Sequence, residues 1–66
     1  MNSKKTVGNR LRILRGTKTV KEVSDALKIS PSALTMYETG KRMPRDEIKV
    51  SLAQFYNTSI ESLFFR

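Results

Sequence analysis

Helix start signals recur along the chain at intervals that allow only short helices. Thr19 and Glu22 form a capping-box pattern, in which the hydroxyl and the carboxylate each accept a hydrogen bond from a backbone amide at the helix start. Ser30 is a preferred N-cap residue, and Pro31 suits the first helical position because its missing N–H would have no partner there. These signals predict two short helices joined by a tight turn, a helix-turn-helix over residues 19–39.

Similar signals divide the rest of the chain. Thr6 is predicted to cap a first helix that Gly16 ends, and Gly40 ends the third helix. No segment shows the sustained alternation of apolar and polar residues that is typical of a strand. We therefore expect an all-α fold, a compact five-helix bundle over residues 6–66, preceded by a flexible basic arm over residues 1–5. The predicted helices cover residues 7–15, 20–28, 31–39, 46–56 and 60–65.

The chain contains neither Cys nor His, so no disulfide and no zinc site is available to stabilise it. Stability must come from an apolar core, either alone or completed by a partner chain. Helical spacing predicts which side chains face inward. They are Val7, Leu11, Leu14, Val23, Ala26, Leu27, Leu34, Tyr37, Ile48, Leu52, Ala53 and either Phe55 or Tyr56.

The same composition argues against an enzyme. Without His or Cys, with six scattered acidic residues and no Gly-rich loop, the chain offers no nucleophile with a base and no metal site. We predict no catalytic residue, no metal, no cofactor and no small-molecule ligand. No apolar run approaches the roughly 20 residues of a membrane span, and no apolar signal core follows the start. A soluble cytoplasmic protein without a membrane partner is therefore expected.

Positive charge is concentrated in the first third of the chain. Thirteen Lys and Arg oppose six Asp and Glu, for a net charge of +7, and residues 1–21 hold seven of these cations and no acid. Such an excess favours a polyanionic partner, either nucleic acid or an acidic membrane surface. Many small basic proteins are merely well solvated, so the charge alone leaves the partner open.

The third helix has an uncharged outer face, although solvated helix faces are normally charged. Leu34 and Tyr37 share its inner face, so the residues opposite them must point outward. Ser and Thr hydroxyls hydrogen-bond to base edges, and Thr and Met can pack on the methyl group of thymine. The face therefore suits the major groove of DNA. It consists of Pro31, Ser32, Thr35, Met36 and Thr39.

Cations surround this face without interrupting it. Lys21 lies at the start of the second helix, and Lys41 and Arg42 follow the third. These cations would lie on either side of the face, where the phosphates that flank a major groove would be. The free backbone amides around Thr19 offer a further phosphate contact at a helix N-terminus.

Three segments of the chain resemble the DNA-binding domains of the phage repressor/Cro type, the broad group of small prokaryotic helix-turn-helix regulators. The resemblance covers about residues 7–64. It depends on finding all three segments in the family's order and spacing, more than on any one segment. The segments are Val-Gly-Asn-Arg-Leu-Arg-Ile-Leu-Arg at 7–15, Ile-Ser through Tyr-Glu-Thr-Gly-Lys-Arg-Met-Pro within 29–44, and Leu-Ala through Leu-Phe within 52–64.

The resemblance implies a role for each matching position. It assigns base reading to Pro31, Ser32, Thr35 and Met36. It assigns phosphate contacts to Thr19, Val20, Thr39, Lys41 and, in some relatives, Met43, to which the charge pattern adds Lys21 and Arg42. It also implies an internal ion pair between Arg15 and Glu38, which would explain an acidic residue on the inner side of the third helix.

Three departures from the family pattern qualify these roles. Val20 stands where many relatives have a Gln that binds a phosphate, the turn between the first two helices is about two residues shorter, and the reading face lacks the Gln or Arg that makes bidentate base contacts. Sequence preference would then rest on methyl contacts, water and DNA shape.

A transcriptional regulator, most simply a repressor, is the function that these features predict. Its partner would be an operator in double-stranded DNA, bound by a homodimer whose interface is predicted at Leu63, Phe64 and Phe65, because two adjacent aromatic residues cannot both point inward. The alternative is a helix-turn-helix module used for protein–protein interaction, of the anti-repressor or toxin–antitoxin kind. A second alternative is binding of residues 1–21 to a membrane surface.

Overall fold

The computed structural model describes residues 3–66 and shows five helices within them, with no strand. They are α1 (Lys4–Arg15), α2 (Val20–Leu27), α3 (Pro31–Glu38), α4 (Asp46–Phe55) and α5 (Glu61–Phe65), the last a single π-helical turn. The all-α, five-helix prediction is confirmed. Each predicted boundary of the second, third and fourth helices lies within one residue of the observed one.

Helix α1 begins earlier than the sequence predicts. Ser3, not Thr6, is its N-cap, and the Ser3 hydroxyl accepts a hydrogen bond of 3.1 Å from the Thr6 amide. Lys4 and Lys5 therefore belong to the helix, and the predicted flexible arm is wrong for them. Residues 1 and 2 of that arm lie outside the described residues.

The core is a cluster of side chains from all five helices, to which α2 contributes one fully buried apolar side chain, that of Val23. Among residues 3–66, the buried side chains that form this core are Val7, Leu11, Val23, Leu34, Tyr37, Leu52, Ala53, Leu63 and Phe64. Half-buried residues of the connecting turns, among them Ile29, Met43 and Ile60, pack against this cluster. Burial of this apolar surface is the main source of folding free energy in a chain without cross-links.

Three inward predictions are corrected by the tertiary arrangement. Leu14 remains 38 % exposed, because it lies at an open groove between α1 and the end of the chain. Ala26 is exposed, and Ser24 is buried in its place, with its hydroxyl donating to the Lys21 carbonyl inside the same helix. Of the aromatic pair at the end of α4, Tyr56 is the half-buried one and Phe55 is exposed.

Helix α1 crosses α3 at Gly8. A Cβ atom at this position would lie 2.6 Å from the Glu38 carbonyl oxygen and 2.7 Å from that of Tyr37, a distance that real Cβ atoms do not reach. The absence of a side chain therefore allows the two backbones to touch, and this contact fixes where α3 lies on the bundle.

Candidate nucleic-acid interface

Helix α3 is held in one rotational setting by its cap and its inner face. The Ser30 hydroxyl accepts a hydrogen bond of 3.0 Å from the Ala33 amide, with Pro31 at the first helical position. Leu34 is fully buried, and Tyr37 and Glu38 are 6 % and 5 % exposed. With this side packed against the bundle, the opposite side must face solvent.

The outer face of α3 forms one continuous surface. All four residues predicted to read bases are exposed, and Met36 is 39 % exposed, so it does not fill the core. Together with two predicted phosphate contacts they line an open depression of about 420 Å³. Its lining residues are Pro31, Ser32, Thr35, Met36, Thr39 and Lys41. We refer to this set as the reading face.

The hydroxyls of the reading face differ in whether they already make a hydrogen bond within the protein. The Thr39 hydroxyl donates to the Thr35 carbonyl at 2.8 Å, so it closes the end of the helix and keeps only its lone pairs for a ligand. The hydroxyls of Ser32 and Thr35 have no hydrogen-bond partner among residues 3–66 and can both donate and accept. They are therefore the two hydroxyls of this face that are fully available to base edges.

The turn after α3 presents two cations next to this face. The amides of Lys41 and Arg42 both donate to the Met36 carbonyl, at 2.9 and 3.3 Å, which folds the turn back onto the end of the helix. Both side chains are exposed, and neither has an acidic partner in the described part of the chain. Both charges are thus free to meet phosphates.

The start of α2 has the predicted capping box. The Glu22 amide donates to the Thr19 hydroxyl at 3.0 Å, and the Thr19 amide donates to the Glu22 carboxylate at 3.1 Å. Within residues 3–66, the amides of Val20 and Lys21 have no hydrogen-bond partner and remain available to an anion. The amide and the hydroxyl of Thr19 itself are both engaged in the hydrogen bonds of the capping box.

Lys21 is not a free cation. Its Nζ lies 2.9 Å from Asp25 Oδ2, one helical turn away, and this hydrogen bond and the carboxylate charge raise the pKa of Lys21. Both side chains are well exposed, so the pair is weak and easily exchanged for a phosphate.

Lys4 and Lys5 lie next to this surface, which the sequence does not predict. Gly40 has a φ of +76°, and a Cβ atom there would lie 3.0 Å from the Lys5 Cα atom, so the start of α1 touches the turn after α3. This backbone contact places the start of α1, which carries Lys4 and Lys5, beside the turn that carries Lys41 and Arg42. Ser3, a preferred N-cap residue, was the signal that α1 starts early enough to do this.

The ion pair implied by the family resemblance is present under α3. Arg15 Nε and Nη2 donate to the two carboxylate oxygens of Glu38 at 2.8 and 3.0 Å. Arg15 Nη1 also donates to the Lys18 carbonyl at 2.8 Å, so one guanidinium joins α1, the following turn and the end of α3. The hydrogen bond to Glu38 is the main cause of the raised pKa of Arg15.

The predicted dimer interface is wrong for two of its three residues. Leu63 and Phe64 are 2 % and 1 % exposed, because the π-helical turn directs both side chains into the monomer core. Phe65 is 46 % exposed and is the residue left outside, as expected for one of two adjacent aromatics. The Lys49 Nζ atom lies 5.6 and 5.2 Å from the ring centroids of Phe64 and Phe65.

Val20, the departure from the family pattern, packs against the apolar core instead of reaching outward. Val20 therefore offers a phosphate only its backbone amide.

Arg10, one of the basic residues of α1, has a structural role within the fold. Its guanidinium donates to the carbonyls of Ser62, Leu63 and Arg66 and so closes the end of α5.

Residues 3–66 contain no group of three or more acidic side chains close enough to hold a metal ion. None of the helices described is long and apolar enough to cross a membrane.

Comparison with known families agrees with this geometry. A helix-turn-helix family model of the Cro/C1 type matches residues 10–63, most of the chain and both helices of the helix-turn-helix. No curated protein and no solved structure matches the chain. The family is one of DNA-binding regulators and not of enzymes. The chain belongs to the Cro/C1-type helix-turn-helix family of DNA-binding regulatory domains.

Proposed function

We propose that this protein is a sequence-specific transcriptional regulator that represses a promoter by occupying an operator in double-stranded DNA. The observation that carries the proposal is the reading face, whose α3 residues are exposed and uncharged and whose far end holds the cation Lys41, next to Arg42 and to the start of α1. Helix α3 would enter the major groove with Ser32, Thr35 and Met36 against the base edges. Such a protein acts in the cytoplasm, on the cell's DNA.

Phosphate binding would position this helix. Lys41 and Arg42 have no acidic partner among the described residues, and the Val20 and Lys21 amides point from the start of α2. We add Lys5 to the predicted contacts, because its backbone touches Gly40 in the turn that carries Lys41. The sequence-independent part of the affinity would come from these groups, which together could neutralise several phosphates.

Sequence preference would come from few direct contacts. The reading face contains no Gln, Asn or Arg that could make a bidentate contact with a base. One copy of so small a face distinguishes few base pairs, so we infer that two copies bind an inverted repeat, with their α3 helices about 34 Å apart in successive major grooves.

The experiment that tests this proposal is selection of bound duplexes from a random pool, followed by affinity measurements over a range of salt concentrations. We expect an enriched sequence and a log–log slope of about −0.9 for each phosphate neutralised. Thr35→Ala or Met36→Ala should change the enriched sequence. A flat salt slope, or no enrichment, would instead favour the protein-interaction module.

Binding to acidic vesicles gives a second control. If residues 1–21 bound membranes, the protein would sediment with anionic liposomes at low salt, with an affinity comparable to its affinity for DNA. The described part of this segment has no aromatic residue to enter the headgroup region. We expect only weak, salt-sensitive association.

A further inference from the structure

The free hydroxyls of the reading face do not select between base pairs. Those of Ser32 and Thr35 have no hydrogen-bond partner among residues 3–66, so each can rotate either to donate or to accept. In the major groove, thymine O4 and guanine O6 are acceptors, whereas cytosine N4 and adenine N6 are donors. A hydroxyl can hydrogen-bond to any of these groups. Ser32 and Thr35 therefore contribute little to the choice between an A·T and a G·C pair.

The remaining polar groups of this face do not restore that choice. The Thr39 hydroxyl donates to the Thr35 carbonyl at 2.8 Å, which leaves it only as an acceptor. An acceptor finds a donor in either pair, adenine N6 in one and cytosine N4 in the other. Lys41 lies beyond the end of α3, in the turn that is proposed to bind phosphates.

Discrimination therefore falls to the apolar part of the face. Met36 is 39 % exposed, and Pro31 is exposed as well. Both line the same depression as Thr35, whose side chain carries a methyl group beside its free hydroxyl. The unbranched Met side chain adapts to an apolar partner in more than one position. The apolar group that a base offers in the major groove is the C5-methyl group of thymine.

We propose that the reading face recognises the C5-methyl group of a pyrimidine, whichever pyrimidine carries it, and so binds 5-methylcytosine in place of thymine. The inference rests on the proposed function and names the chemical group that this surface selects. 5-Methylcytosine carries its methyl group at the same place in the major groove as thymine. It offers an amino donor where thymine offers a carbonyl acceptor, and the hydroxyls of Ser32 and Thr35 tolerate that exchange.

Methylation of cytosine would then create binding sites for this protein in sequences that it otherwise passes over. A side chain with a bidentate contact, such as Gln to adenine or Arg to guanine, would prevent this, because it fixes the base pair by its hydrogen bonds. The residues that line the reading face include none of that kind. The departure from the usual base-reading set is thus what makes the methyl group decisive.

Burial of one methyl group sets the size of the effect. Losing one such apolar contact lowers affinity by about fourfold. Two contacts, one for each copy of α3 on an inverted repeat, correspond to about fifteenfold. This is comparable with the discrimination that a single mismatched base pair provides.

The first test removes methyl groups from the DNA one at a time. In the duplex enriched from the random pool, each thymine is replaced in turn by deoxyuridine, which keeps the base pairing and lacks only the C5-methyl group. We expect binding about fourfold weaker at one or two positions of each half-site and unchanged elsewhere. An enriched sequence without thymine, or equal affinity for all the substituted duplexes, would overturn the proposal.

The second test moves the methyl group to another base. At a position where deoxyuridine weakens binding, the T·A pair is replaced by a C·G pair and, in a further duplex, by a 5-methylcytosine·G pair. We expect the unmethylated pair to bind weaker by about fourfold or more, and the methylated pair to stay within about twofold of the original. If 5-methylcytosine bound no better than cytosine, the face would recognise thymine itself and the proposal would be wrong.

Two substitutions assign the effect to Met36. Met36→Ala removes the apolar contact and should abolish the difference between 5-methylcytosine and cytosine, whereas Met36→Leu should retain it. The matched control is Ile13→Ala on α1, a residue that is 78 % exposed and lines a groove between α1 and α5, away from the reading face. It should leave both affinities unchanged. A difference that survived Met36→Ala would contradict recognition by this side chain. Helical circular dichroism checks that each variant is folded.

This inference and the proposed function fail on different measurements. Enrichment of a duplex whose binding does not depend on any methyl group would remove the methyl recognition and leave a sequence-specific regulator. Failure to enrich any duplex would remove the proposed function and the methyl recognition with it.

Discussion

Arg15 and Glu38 form a two-point ion pair that joins the end of α1 to the end of α3, with donor–acceptor distances of 2.8 and 3.0 Å. The Glu38 side chain is 4 % exposed and the Arg15 side chain 21 %. Planar guanidinium and carboxylate groups match at two points, so the pair specifies an orientation as well as a distance. The residue that follows the pair, Thr39, begins the turn that carries the phosphate-facing cations. The pair therefore connects core stability to the geometry of the reading face.

Removing one partner of this pair should destabilise the fold. Arg15→Met leaves the buried Glu38 carboxylate unpaired, and we expect a loss of about 2–4 kcal/mol in the free energy of unfolding, measured by urea denaturation. Arg15→Met combined with Glu38→Leu should recover much of the loss, since no buried charge remains. The matched control is Lys21→Met, which breaks an exposed pair and should change little. A double variant as unstable as the single one would contradict this account.

Gly8→Ala should also be destabilising, against the usual preference of helices for Ala. In an exposed helix interior the change stabilises by about 1 kcal/mol, but here a Cβ atom would meet two backbone carbonyls of α3 below 3.0 Å. We expect α1 and α3 to move apart at a cost of about 1–3 kcal/mol, with weaker DNA binding as a consequence. Asn9→Ala, on the exposed side of the same helix, is the control and should be neutral or slightly stabilising.

Tyr56 should make the protein less stable at high pH. Its hydroxyl is buried without a hydrogen-bond partner among the described residues, and burial, followed by the charge of Glu38, raises the pKa of Tyr56 to about 12. The unfolded chain loses this proton near pH 10, so the contribution of neutral Tyr56 is full below pH 10 and is lost as the pH rises toward about 12.

Tyr56→Phe should remove this dependence. Thermal unfolding of both proteins between pH 8 and about pH 12 should show a difference that grows in favour of the variant above about pH 10. At neutral pH the variant should be equally stable or more stable by up to about 1 kcal/mol, because an unpaired buried hydroxyl has been removed. A clear loss of stability at neutral pH would mean that the hydroxyl has a partner, such as a bound water.

Lys5 should behave as a phosphate contact although it lies in the first helix. Lys5→Ala and Lys41→Ala should each weaken binding to all duplexes alike and reduce the magnitude of the salt slope by about 0.9. Lys28→Ala is the control, since Lys28 is the C-cap of α2, at the opposite end of that helix from its proposed phosphate contact. An unchanged slope for Lys5→Ala would confine the phosphate contacts to the turn after α3 and the start of α2.

The sequence alone determined most of the local structure. Caps at Thr19 and Ser30, Pro31 at a helix start and the 3.6-residue period act over a few residues, so they predicted the helices and the side of α3 that faces outward. The resemblance added the Arg15–Glu38 contact, since no local rule joins residues 23 positions apart.

The tertiary structure decided what depends on how helices lie against one another. It buried Ser24 in place of Ala26, placed Leu63 and Phe64 in the monomer core, and left Ile13 in solvent. It also brought the start of α1, which carries Lys4 and Lys5, to Gly40 in the turn after α3. Helical periodicity shows which residues share a side of one helix, but the neighbour that covers that side is chosen by packing of the whole chain.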